Sequence, residues 1–208
     1  MACHEAGAKT IRGVDGSWVK PELLMIPRER FTQYDLSQPG LKNKIPEDRF
    51  DLTISSEVAE HIDPQDTETY MDNLTSFSNV ILFSAAIPGQ GGTHHVNEQW
   101  PSYWTEKFSA RGFVPVDCIR QKLWYDNEVH LWYRQNLMMF VKKNALGNYP
   151  ALKHEAGKPV LDAVHFKIWE NARKNTKRGF KANCKMIILG FIDLVPSFFR
   201  AVKKRITA

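Results

Sequence analysis

Residues 79–87, NVILFSAAI, run almost without a break through apolar side chains for the length of one strand. A strand with one face in water alternates apolar and polar positions. A continuous run needs cover on both faces, which is the situation of a parallel strand between two layers of helix. The run is too short for a buried helix of the usual length. This segment therefore restricts the chain to architectures in which strands alternate with helices.

The flanking segments follow that alternation. Residues 9–16 (KTIRGVDG) read as a short strand closing in an Asp-Gly turn, and residues 28–36 (RERFTQYDL) as a second strand. A third strand falls within residues 49–62 (RFDLTISSEVAEHI). Residues 63–77 have helical spacing, with Met71, Leu74 and Phe77 on one face and acids at the start. Residues 101–112 predict a helix stopped by Gly112, and residues 113–124 and 131–143 predict two further strands. The expected fold is an α/β protein with an open, mostly parallel, Rossmann-like sheet. Residues 1–143 form the expected domain, 144–171 a linker and connecting segment, and 172–208 a basic C-terminal extension.

Charge separates these regions. The net charge of +5 over 208 residues combines 15 Lys/Arg against 19 Asp/Glu in residues 1–150 with 13 against 4 in residues 151–208. A uniformly basic nucleic-acid binder is not distributed this way, and no stacking aromatics are interleaved with the basic residues, so no nucleic-acid partner is expected. Cys3, Cys118 and Cys184 lack CxxC spacing and read as free thiols of a reducing compartment. The N-terminal residues contain no signal-peptide apolar run, so a cytoplasmic location is expected.

In open α/β sheets ligands bind outside the carboxyl ends of the strands. Asp15 ends the first strand, where it accepts a ribose diol or closes a turn before Gly16. Asp35 ends the second, facing a nucleobase amine or serving as a cap. Ser55, Ser56 and Glu57 follow the third strand, with Glu60 and His61 in the next turn. After the fourth strand comes PGQGGTHHVNEQW, residues 88–100. This loop lacks both the GxGxxG and the GK[ST] spacing that a phosphate cradle needs. His94, His95 and Glu98 are metal-capable, but adjacent histidines rarely chelate one ion with both rings, so no metal is expected. The remaining reading is a pocket wall. Tyr103 and Lys107 have the Tyr-x-x-x-Lys spacing of short-chain dehydrogenases without a glycine-rich dinucleotide turn, which leaves a nicotinamide-dependent reductase as the weakest alternative.

At FDLTISSEVAEHI (50–62), VILFSAAIPGQGGTHHVNEQWPSYW (80–104) and WYRQNLMMFV (132–141) the chain resembles a class I S-adenosylmethionine-dependent methyltransferase over about residues 5–143. The resemblance implies that S-adenosyl-L-methionine is the cofactor, held by Asp15 and Gly16 at the ribose and by Asp35 and Leu36 near adenine. It places Ser56, Glu57 and Val58 on the methionine side, and His94, Asn97 and Trp100 against the methyl acceptor. His95 and His61 become the candidate bases, oriented by Glu98 or Glu57. The acceptor would be a small molecule or a glycan- or lipid-linked intermediate, methylated on oxygen or nitrogen. The family's first strand and glycine-rich loop have no counterpart in this chain, so the resemblance implies a domain truncated at its N-terminus, in which the strands re-pair around the gap, the start is misplaced, or a partner or second copy completes the sheet. A catalytically silent remnant or partner subunit is the alternative from another class.

In the C-terminal region, residues 172–185 carry six Lys/Arg and no acid, and residues 186–202 are apolar but contain Asp193 and Pro196. That stretch is shorter than the ~20 residues that span a bilayer. It predicts a helix that either packs on the domain or lies on an anionic membrane surface.

Overall fold

The computed structural model describes residues 2–157 and 159–174. Residues 1–163 form one compact unit; the chain from Val164 belongs to a second, described to residue 174. The first unit is mixed α/β with two sheets. A short helix α1 (Ala2–Glu5) precedes β1 (Gly13–Asp15) and β2 (Phe31–Gln33), which pair in parallel as a two-stranded sheet. A four-stranded sheet follows in the order β3 (Thr53–Ser56), β4 (Val80–Ser84), β6 (Met138–Lys142), β5 (Phe113–Val116). β3 and β4 are parallel, while β6 runs antiparallel to both β4 and β5. The sheet expected to be mostly parallel is therefore mixed, with β6 reversed between two strands of common direction.

The apolar run at residues 79–87 becomes β4, buried on both faces as its composition requires. On one side lie α2 (Thr67–Thr75) and α3 (Pro101–Ala110). α2 turns Tyr70, Met71 and Leu74 inward. Proline opens α3, where its missing N–H costs nothing. One turn apart on α3, Trp104 and Phe108 face the sheet. Phe108 stacks on Phe140 at 3.9 Å between ring centroids and meets Phe83 edge-on at 5.2 Å. Gly112, at φ +76°, ends α3 in the left-handed conformation that a side chain resists.

Two of the expected strands are shorter than their β-rich composition predicts. Residues 113–124 form β5 only to Val116, after which α4 (Arg120–Leu123) begins. The reason is the buried pair Asp117–Arg120, three residues apart, whose Nη2–Oδ2 distance of 2.6 Å requires a helical turn. Residues 131–143 split into α5 (Leu131–Asn136) and β6. His130 caps α5, its Nδ1 accepting the Trp132 amide, and this cap overrides the strand preference of Trp132 and Tyr133. In the second expected strand, residues 28–30 form a 3₁₀ turn before β2.

Beyond β6 the chain packs back on the sheet. A 3₁₀ segment (Lys143–Asn148) and α6 (Pro150–Lys153) bring Leu146, Tyr149, Leu152 and Ala156 against Val80, Val116 and Val141. These residues lie within the stretch expected to act as linker. The basic extension is outside the described residues from 175 onward, as is Cys184. Among the described residues no helix is long and apolar enough to cross a membrane.

Candidate functional site

Because β3 and β4 are parallel neighbours, their carboxyl ends lie on the same edge. Register aligns Ser56 with Ser84, whose hydroxyl oxygens are 3.0 Å apart. The Glu57 amide donates to the Ser84 carbonyl at 3.0 Å, carrying the ladder one residue past both strands. The loop after β4 is then tied over the loop after β3. The amides of Val96 and Asn97 both donate to the Glu60 carbonyl, at 2.9 and 3.0 Å, and the Gln99 amide donates to Ala86 at 3.2 Å. Residues far apart in sequence thus form one polar cluster.

Its centre is a pair of imidazoles. The rings of His61 and His95 meet edge to face with centroids 5.0 Å apart. Nδ1 of His95 donates to Oε1 of Glu98 at 2.9 Å, and Nδ1 of His61 donates to the carbonyl of His94 at 3.2 Å. Both partners only accept, so each Nδ1 carries a proton, and in the neutral ring Nε2 is the free nitrogen. Glu98 is held in turn by the amides of Gly89 and Gly91 at 2.8 and 2.7 Å. Burial alone would raise the Glu98 carboxyl, but the bonds from His95 and the two amides outweigh it and keep it below its ordinary value. The His95 ring lies where a side chain on residue 92 would stand: a Cβ there would come within 2.2 Å of Nε2. Gly92 is thus required by the histidine.

Two carboxylates complete the cluster. Glu57 sits at φ 53° and His94 at φ 59°, the two non-glycine residues with positive φ among those described. Such conformations are costly and concentrate at functional sites. The oxygens of Glu57 accept from Gln90 Nε2 at 2.8 Å and Asn136 Nδ2 at 3.2 Å, and Asn136 also donates to Gln90 at 2.9 Å. Glu60 is fully buried, and neither carboxylate oxygen has a hydrogen-bond partner. Burial, with the Glu57 charge adding to it, pushes its carboxyl up to about 7; the nearby amides of Glu60 and Ala86, outside hydrogen-bond geometry, and His95 offset part of this. One ligand atom each from Glu60, His61 and His95 lies within 4.8 Å of the others, a group able to hold a metal ion.

Among the residues singled out from sequence, the edge brings together Ser56, Glu57, His61, His94, His95 and Glu98. Val58 packs against the main core instead. Asn97 is buried and bonds Thr67 Oγ1 at 3.1 Å and Gln99 at 3.1 Å, fastening the loop to α2. Trp100 is half-exposed and precedes the first turn of α3. Asp15 and Gly16 end β1, where Asp15 Oδ1 accepts the Gly16 amide at 2.7 Å and the Trp18 ring fills the space a Cβ at Gly16 would need. Asp35 Oδ1 takes the amide and hydroxyl of Ser37 at 2.9 and 2.7 Å, closing a turn. Leu36 packs among apolar residues of both neighbouring clusters. A cavity of about 250 Å³ lies against β1's approach, lined by residues that include His4, Lys9, Ile26 and Arg30, and includes none of these site residues. Lys107 stands over the face of the Tyr103 ring at 5.1 Å and bonds Glu68, an arrangement in which it serves α2–α3 packing.

The cluster also uses Gly92, Gln90 and Asn136, which the sequence reading assigned no role, and Glu60, which that reading placed beside His61 as a neighbouring acid. Glu57, Glu60 and His61 share one short segment, and that spacing was a usable signal. Asn136 comes from 79 residues beyond Glu57, where only the reversed strand β6 brings it to this edge.

No family model matches the chain, and no curated protein does. The solved structures that are similar include two. One, described as "A Pericyclic Reaction enzyme", has 11% identity and a TM-score of 0.41 over 68% of this chain and 38% of its own. The other, described as "The structure of LepI complex with SAM", has 11% identity and a TM-score of 0.43 over 68% and 38%. The chain thus spans just over a third of the length of each.

Proposed function

We propose that the carboxyl edge of β3 and β4 is the reaction edge of an S-adenosyl-L-methionine-dependent methyltransferase acting on oxygen or nitrogen of a small-molecule, glycan- or lipid-linked acceptor. The observation that carries this reading is the meeting of His61 and His95, with ring centroids 5.0 Å apart, beside Glu57 and Glu98 at that edge. It joins two of the three segments on which the family resemblance rests. Asp15 offers the donor a carboxylate oxygen, Oδ2, beyond the one bonded to Gly16, and Ser56 and Glu57 flank the edge where the resemblance puts the methionine end.

When bound, the donor supplies an activated sulfonium methyl. The chain's own contribution is alignment and proton handling. An acceptor hydroxyl or amine would give its proton to Nε2 of His95 or His61. Glu98 holds the His95 ring in the tautomer that allows this, and the amides of Gly89 and Gly91 hold Glu98. The left-handed backbone at Glu57 and His94 sets both turns.

A second reading, a chain that keeps the fold without binding the donor, is favoured by Asp35, whose Oδ1 is engaged by Ser37. Calorimetry with S-adenosyl-L-methionine separates them. Saturable heat, and loss of turnover by roughly 10²-fold or more in His95→Gln or His61→Gln, supports the enzyme. No heat and no thermal shift supports the silent chain.

A further inference from the structure

We propose that Glu60, His61 and His95 form a site for one divalent first-row transition cation. Three features point to it independently. The ligand atoms are already gathered within 4.8 Å of one another, from two loops that the Glu60 carbonyl laces together. Because Nδ1 of each histidine donates elsewhere, the neutral ring leaves Nε2 as its lone-pair nitrogen, and the His95–Glu98 bond is the carboxylate–histidine support that metal ligands characteristically have. Most telling is Glu60. Its carboxyl group is completely buried, yet neither oxygen has a hydrogen-bond partner. A buried carboxylate without a partner is costly, and a cation among these residues supplies the missing one.

Two imidazoles and one carboxylate suit zinc-like cations rather than magnesium or calcium, which prefer oxygen donors. Three protein ligands leave a coordination position open, as in sites that bind a water or substrate. His61 is exposed, so the site has a route to solvent. Gly92 belongs to the design as well: its missing side chain gives the His95 ring its place. In the methyl-transfer reading, the open position would take the acceptor's oxygen, and the cation's charge would lower that hydroxyl's pKa so that its proton passes to solvent water rather than to a histidine base. That role rests on the proposed function; the binding of the cation does not.

The test uses the full chain, stripped with a chelator, and the metal alone. Titration with Co²⁺ followed by its visible absorption, then with Zn²⁺ against a chromophoric chelator, should give one equivalent bound. His61→Ala, His95→Ala and Glu60→Gln should each weaken Zn²⁺ binding at least ~100-fold, and Glu98→Gln about 10–100-fold, the usual effect of removing a ligand's support. Gly92→Ala should weaken it while keeping every ligand residue, because the new Cβ takes the space of the His95 ring. His154→Ala, at an exposed position outside the cluster, should bind as the parent does. Far-ultraviolet circular dichroism without metal identifies variants that fail to fold, and the remaining variants then carry the test. A parent chain that binds less than one equivalent, or no more tightly than folded His61→Ala and Gly92→Ala, overturns the proposal. Donor calorimetry on the same metal-free sample tests the methyl-transfer reading separately.

Discussion

The buried pair at the end of β5 gives a sharp test of how this fold is held. Arg120 donates to Asp117 three times, from Nε at 3.1 and 3.0 Å and from Nη2 at 2.6 Å. It also donates to the carbonyls of Val160 and Leu161 at 2.8 and 3.3 Å. The side chains are only 3% and 9% exposed, so water does not replace the lost partner when one is removed. Arg120→Met keeps the apolar stem and deletes the charge. It leaves the Asp117 carboxylate unpaired and two carbonyls without donors, which should cost about 3–5 kcal/mol. With a urea m-value near ~2 kcal/mol/M, the midpoint should fall by roughly 1.5–2.5 M. The double variant Asp117→Leu with Arg120→Met removes both charges and should recover most of the loss, since the penalty lies in the orphaned group rather than in the missing attraction. A single variant within about 0.5 kcal/mol of the parent, or a double variant as unstable as the single, would refute this reasoning.

Further outcomes follow from the same structure. Phe108→Ala removes a fully buried ring that stacks on Phe140 and meets Phe83 edge-on, and should cost about 3–5 kcal/mol in denaturant unfolding. Glu60 is favoured in its protonated form when folded, so in metal-free protein stability should decline as pH rises from about 4.5, its unfolded value, to about 7. Glu60→Gln should flatten that decline, gaining on the parent as pH rises through this window; parallel stability–pH curves would contradict it. Tyr70→Phe leaves the buried hydroxyl of Ser55 without the partner now 2.5 Å away, and should cost about 1–3 kcal/mol by thermal unfolding.

Local pattern and long-range assembly contributed differently to what could be read in advance. The strand β4 and the helix α2 were legible because burial imposes periodicity: Val80–Ser84 is covered on both faces, and Met71 and Leu74 share one helix face, while α3 was legible from Gly112, the glycine that stops it. Residues 117–136 were not, because their conformation is decided by specific polar partners. Asp117 turns the chain into α4 to reach Arg120, and a single capping nitrogen on His130 makes a helix of a β-rich segment. The mixed sheet arises from β6, whose reversed insertion between β4 and β5 leaves no mark on its composition.

The site divides the same way. Glu57, His61, His95 and Glu98 could be selected because each follows a strand end, and the parallel pairing of β3 and β4 brings those ends together. The support of Glu57 by Gln90 and Asn136 depends on a contact across most of the domain, which spacing does not encode. Asn97, which the resemblance sets against the methyl acceptor, has its amide buried against Thr67.

The central claim is that the edge bearing His61 and His95 receives the sulfonium donor. Imidazole NMR of the full chain, recorded as S-adenosyl-L-methionine is added, tests it most directly. The account predicts saturable shifts in the His61 and His95 ring resonances, with His4, His130 and His154 unmoved. Rings at residues 61 and 95 that stay unchanged at saturating donor would contradict it.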